Sequence, residues 1–108
     1  MNHFFDINGQ MKKAVKLHQE GNLNAAREIY ESVMDASPEN PEALHLMGAI
    51  AHQTGDHGQA ILMITRAIDI SPNRPVFHKN LGNIYRANAQ LELAIDHYLR
   101  ALELQPDY

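Results

Sequence analysis

Cysteine and tryptophan are both missing from the 108 residues. The first absence rules out disulfides and thiol chemistry, but it leaves the compartment open, because proteins of any compartment can lack cysteine. No apolar run approaches the roughly 18 residues a membrane-spanning helix needs, and MNHFFDINGQ has no basic segment leading into an apolar one. A soluble, cytoplasmic protein that makes no membrane contact is therefore expected. Excess positive charge is missing too, with 9 Lys and Arg against 13 Asp and Glu. A chain of net charge -4 offers no broad basic field to a phosphate backbone, so no nucleic-acid partner is expected and any cationic site must be local. Signatures of catalysis are equally scarce: there is no phosphate loop, nucleophile elbow, or carboxylate pair with an evident base. Glu28, Glu31, Glu92 and Glu103 read as solvated helix faces, and neither enzymatic activity nor a cofactor is expected.

What the chain does have is regular punctuation. Pro38, Pro72 and Pro106 each close a segment, and successive ones lie 34 residues apart. The same shift lays Pro41 on Pro75, Gly48 on Gly82, Ile50 on Ile84, Ala60 on Ala94, Arg66 on Arg100 and Ala67 on Ala101. His18-Gln19-Glu20-Gly21 falls on His52-Gln53-Thr54-Gly55, which brings the first third into register. Three tandem copies follow, at 7–40, 41–74 and 75–108, behind an N-terminal extension at 1–6.

Within each copy, apolar residues recur at helical spacing in two runs parted by a polar break. Leu44, Met47, Ile50 and Ala51 make one stripe of the second copy; Ala60, Ile61, Ile64, Ala67 and Ile68 make the other. Asn40-Pro41 is a strong helix start, with a capping side chain followed by a proline whose missing N–H costs nothing there. Gly21 and Gly55 mark the turns inside the hairpins. The pattern predicts helices at about 7–20, 23–36, 41–54, 57–70, 75–88 and 91–104, and no strand.

These residues resemble the tetratricopeptide repeat, a helix-turn-helix with the pattern W-x2-L-G-x2-Y, then A-x3-F, then P. The third copy supplies His78, Leu81, Gly82, Tyr85, Ala94, Tyr98 and Pro106, and departs strongly only at the tryptophan slot. The second supplies Leu44, Met47, Gly48, Ala51, Ala60, Ile64 and Pro72. The first matches through Ala26, Tyr30 and Pro38, while Gln10, Lys13, Ala14 and Leu17 make its leading helix the weakest match, as a solvated terminal repeat allows. The resemblance implies an all-α solenoid, a right-handed superhelix of three hairpins. It also gives Gly48 and Gly82 a purpose, since small residues there, opposed by Ala60 and Ala94, let the paired helices approach closely.

A stack of this type is concave on the side lined by the first helix of each hairpin, and such grooves bind extended peptides. The exposed stripe of those helices holds Met11, Val15 and His18, then Glu42, His45, Ala49 and His52, then Val76, Lys79, Asn83 and Arg86. The candidate groove residues are His18, His45, His52, Lys79, Asn80, Asn83 and Arg86, facing a protein or peptide ligand. Lys79, Asn83 and Arg86 are compatible with the carboxylate clamp of tetratricopeptide cochaperones, although Met11 and Val15 stand where that clamp wants lysine and asparagine. Asn80-Leu81-Gly82-Asn83 is similar to the groove asparagines of O-linked N-acetylglucosamine transferases, but Leu46 and Lys12 interrupt the ladder. Hence a second reading: a substrate-recruiting region of a larger glycosyl-, sulfo- or methyltransferase. A third is a stand-alone oligomerisation adaptor.

Seven histidines raise the question of metal. His45 and His52 lie two turns apart, too far for one site without a third ligand, and His52 with His57 has no better claim, so no metal is expected. Neutral His18 and His52 are expected to gain charge as pH falls through roughly 6.5, favouring acidic ligands. Arg66 and Arg100 read as surface residues with packed stems. In the last helix a second apolar stripe at Leu93, Ala101 and Leu104 lacks a neighbour, and its burial in a homodimer, or by further chain, is the expectation.

Overall fold

The computed structural model describes residues 6–107. The extension expected at 1–6 therefore lies, apart from Asp6, outside the described residues. Six helices follow one another: α1 (Ile7–Gln19), α2 (Leu23–Ala36), α3 (Pro41–Gln53), α4 (His57–Ile70), α5 (Pro75–Ala87) and α6 (Leu91–Leu104). No strand occurs among the described residues. Each first helix ends one residue before the sequence pattern suggests, because Glu20, Thr54 and Asn88 serve as C-caps.

Side chains fix the helix ends. The Gly9 N–H donates to Asp6 Oδ1 at 3.1 Å and the Ala43 N–H to Asn40 Oδ1 at 3.0 Å, satisfying donors that have no partner within the helix. Arg74, at the same place in the third hairpin, gives no such cap; its guanidinium bonds Glu42 at 2.8 Å and lies 4.5 Å from the centre of the Phe77 ring. Ser37, Ser71 and Gln105 close the second helices with backbone angles outside the helical region, as a following proline favours. Inside the hairpins the chain turns through the left-handed region at Gly21 (φ 83°) and Gly55 (φ 88°), and at the equivalent third position Ala89 is held there at φ 61°.

Close approach explains the mid-helix glycines. A Cβ on Gly82 would stand 2.8 Å from the Tyr98 ring and 3.2 Å from the Ala94 carbonyl oxygen; on Gly48 it would meet Ile64 Cγ1 at 2.6 Å and the Ala60 carbonyl oxygen at 3.2 Å. It is thus the backbone at Ala60 and Ala94, with the side chain one turn further on, that the glycine admits. At the tryptophan slot, His78 is buried, and its Nε2–H donates to the Pro72 carbonyl at 2.9 Å.

Two apolar clusters hold the stack, and each joins one hairpin to the next. Ala14, Ala26, Tyr30 and Ile50 tie α1 and α2 to α3. Leu44, Ala60, Ile64 and Ala67 tie α3 and α4 to Phe77, Leu81 and Ile84 of α5. Across hairpins α3 also touches α5, whereas no second helix packs comparably on another second helix. The stack therefore bends towards its first helices. It measures 52 × 26 × 22 Å with a radius of gyration of 14.4 Å, where a compact chain of this length would have about 13 Å.

Candidate functional site

On the concave side, residues repeat every 34 positions into three rows that cross α1, α3 and α5. One row is Met11, His45 and Lys79; the next is Val15, Ala49 and Asn83; the third is His18, His52 and Arg86. Arg86 and Lys79 are exposed, whereas His18, His52 and Asn83 are half-buried.

His45 departs from the expected stripe. It is 4% exposed, with its ring 4.7 Å from that of Phe77. Asn80, offered as a ligand contact, instead donates its Nδ2–H to His45 Nε2 at 2.6 Å. The proton then sits on His45 Nδ1, a buried nitrogen with no partner. Burial pushes the His45 pKa down to about 4, outweighing the attraction of Glu42. Neutral and sunk between α3 and α5, the residue is a packing element. Its pattern partner in the sequence gave no hint of this, because the large neighbour that covers it, Phe77, sits where the second copy has Ala43.

His18, His52 and Asn83 have hydrogen-bond partners yet stay partly accessible. His18 Nε2 donates to Gln53 Oε1 at 2.5 Å, linking α1 to α3. Tyr98 donates its hydroxyl to Asn83 Oδ1 at 2.5 Å, which orients the amide and leaves its NH2 as the donor end. His52 and His57 approach Nδ1 to Nδ1 at 3.3 Å, and burial, then the neighbouring His57, lowers the His52 pKa. Proton uptake by His52 near pH 6.5 is thus opposed, contrary to the sequence expectation. Among the described residues no three His, Asp or Glu side chains cluster as metal ligands.

Charge is sorted by layer. The first helices carry Lys12, Lys13, Lys16, Lys79 and Arg86 against the single acid Glu42, a net of +4 (5 minus 1). The second helices carry three arginines against seven acids, a net of -4 (3 minus 7). Glu42, moreover, is matched by Arg74 at 2.8 Å. A chain that is acidic as a whole thus has a cationic layer of first helices and an anionic layer of second helices, and of the five cations Lys79 and Arg86 stand on the concave rows themselves. At the α1 end the groove deepens into a cavity of about 300 Å³ lined by Met11, Lys12, Val15, Lys16, Gln19 and Glu42.

The far end of the stack differs from the expectation as well. Ala101 is 2% exposed and belongs to the interior of its own hairpin, and Leu104 is half-buried. The open apolar face of α6 consists instead of Leu91, Ile95, Leu99 and Leu102, each more than 40% exposed, while Leu93 stands apart from them on the helix. Ile95 and Leu102 occupy the places of Ile61 and Ile68 on α4, which pack into the cluster that α5 completes.

Models of the tetratricopeptide repeat family match residues 17–64 and 75–108. The chain is a tetratricopeptide repeat protein. Tetratricopeptide repeat protein 17 of Homo sapiens is 30% identical over 105 residues, 97% of this chain and 8% of its own length. Tetratricopeptide repeat protein 7A of Homo sapiens is 27% identical over 85 residues, 79% of this chain and 10% of its own. The chain thus spans only about a tenth of these curated relatives. Among solved structures, a mutant O-GlcNAc transferase of Thermobaculum terrenum superposes with a TM-score of 0.92 at 34% identity, covering 94% of this chain and 20% of that one. The first TPR of Spaghetti, bound to an HSP90 peptide, gives 0.88 at 24% identity over 94% of this chain and 81% of that one. The tetratricopeptide fold makes this chain a protein-interaction module, and none of its described helices is long and apolar enough to cross a membrane.

Proposed function

We propose that the concave groove binds an extended acidic segment of a protein, and that the chain acts by binding rather than by catalysis. The observation that carries this reading is the sorting of charge. Opposed layers of +4 and -4 concentrate attraction for carboxylates on the side where three first helices line up. Stacking surfaces that a single-stranded nucleic acid would use are scarce there, since Phe77 is buried, and five cations are few for a phosphate track. In fluorescence anisotropy, a labelled eight-residue Glu/Asp-rich peptide is expected to bind, to weaken with added salt, and to lose about tenfold in affinity with Arg86→Glu. Equal binding of a Lys-rich peptide would sink the proposal.

A second reading is favoured by the likeness to the O-GlcNAc transferase, which at 34% identity goes beyond shared fold. In it, the groove recruits acidic segments for a transferase domain of the same protein, and α6 is covered by a further hairpin as α4 is by α5. Where α6 has no such cover, its apolar face supports pairing with a second copy. Genomic sequence flanking the coding segment decides whether a transferase domain adjoins it.

A further inference from the structure

The two ends of the groove differ in chemistry, and the difference bears on which acidic segment fits. At α5 the floor offers Lys79, Asn83 and Arg86. At α1 the equivalent three places hold Met11, Val15 and His18, and the first two line the cavity of about 300 Å³. Between them, α3 contributes His45, which is sunk and neutral, Ala49, which is only a methyl group, and the half-buried His52, whose Nδ1 is turned to His57 at 3.3 Å. The middle of the groove therefore offers no lysine or arginine to a ligand.

The cavity also selects by charge. Glu42 at its edge is already paired with Arg74 at 2.8 Å and exerts little charge of its own there. Lys12 and Lys16, which also line it, disfavour an ammonium group. Met11 and Val15, with the stems of the lysines, give the cavity an apolar lining that suits a bulky aliphatic side chain.

We infer that the groove reads its ligand in register: an aliphatic anchor in the Met11–Val15 cavity, separated by about six residues from acids held over α5. The spacing follows from two steps between neighbouring first helices at about 10 Å each, spanned by an extended chain rising about 3.3 Å per residue. This rests on the acidic-segment reading above and adds to it a second contact and a distance.

The test uses the whole chain and synthetic peptides carrying a Glu-Glu pair and a leucine in a Ser/Gly background. The leucine is placed two or six residues away, on either side, and is replaced by serine, lysine or aspartate in controls. The six-residue leucine peptide of one polarity is expected to bind about tenfold tighter than its serine control, as burial of a large aliphatic side chain allows. That gain should vanish in Val15→Asp while the serine peptide keeps its affinity. If leucine and serine peptides bind equally and both weaken in Arg86→Glu, the anchor is overturned and the acidic groove stands. A lysine or aspartate peptide that outdoes leucine, or a leucine gain independent of spacing, likewise overturns the anchor or its register. No binding by any peptide overturns the groove reading itself, and an oligonucleotide of equal charge that binds tighter than all of them overturns the choice of a peptide ligand. The peptide-side controls keep the comparison valid if Val15→Asp folds poorly.

Discussion

Three residues sit in places that cost the fold something, and each gives a measurable consequence. The Tyr30 hydroxyl is buried without a partner, and burial raises its pKa to about 12. Tyr30→Phe removes a stranded polar group and keeps the ring, so denaturant unfolding should show unchanged stability or a gain of up to about 1 kcal/mol. Ala89 adopts the left-handed geometry that Gly21 and Gly55 supply in the other hairpins. A side chain there costs roughly 1 kcal/mol, and Ala89→Gly should recover that and raise Tm by about 4 °C, readable by calorimetry. His45 makes stability depend on pH. Its folded-state pKa is depressed from 6.5 to about 4, so below pH 6.5 the unfolded chain takes up a proton that the folded one refuses. The associated stability is fully present above the unfolded value and is lost as pH falls towards the folded one, about 2 kcal/mol of it by pH 5. His45→Leu should flatten the difference in denaturant midpoint between about pH 7.5 and about pH 5; an equal slope in both proteins would show that other groups dominate.

At the scale of the helix, most of the architecture is legible because punctuation and periodicity agree. Capping residues, turn glycines and closing prolines bracket the same six segments that apolar spacing picks out, and the structure moves only the ends of the first helices, by one residue each. Which face a residue occupies is harder to read. Ala101 turns inward within its own hairpin, and Phe77 covers His45 where a smaller residue would have left it open. The charge layering was available in the sequence too, but only to a sum taken helix by helix; the total of -4 conceals it. Two expectations belong to this scale. Alanine is the better helix former, by about 1 kcal/mol, yet Gly82→Ala should lower stability by roughly 1 to 2 kcal/mol, because the new methyl meets the ring of Tyr98, whose hydroxyl is tied to Asn83. The α6 face should make the isolated chain self-associate at high concentration, and Ile95→Glu should return it to monomer in sedimentation velocity, with Leu93→Glu having the smaller effect. A wild-type chain that sediments as a monomer at every concentration would remove self-pairing as the cover for that face.

For the whole molecule, the important fact is that each helix packs on its chain neighbours, with α3 reaching α5 as the one notable addition. Among the described residues no helix of the first hairpin packs extensively on a helix of the third. Stability is then close to a sum of hairpin terms and junction terms, and the long-range pairings that slow folding are few. Hydrogen exchange should accordingly be slowest in α3 and α4, which have a neighbour on both sides, and fastest in α1 and α6. An extended ligand lying over α1, α3 and α5 would be the first element to touch both ends at once. Occupancy would then work as a splint: amides of the terminal hairpins, far apart in sequence, would gain protection together, and the chain would change from a ladder that frays from its ends into a unit that opens as a whole.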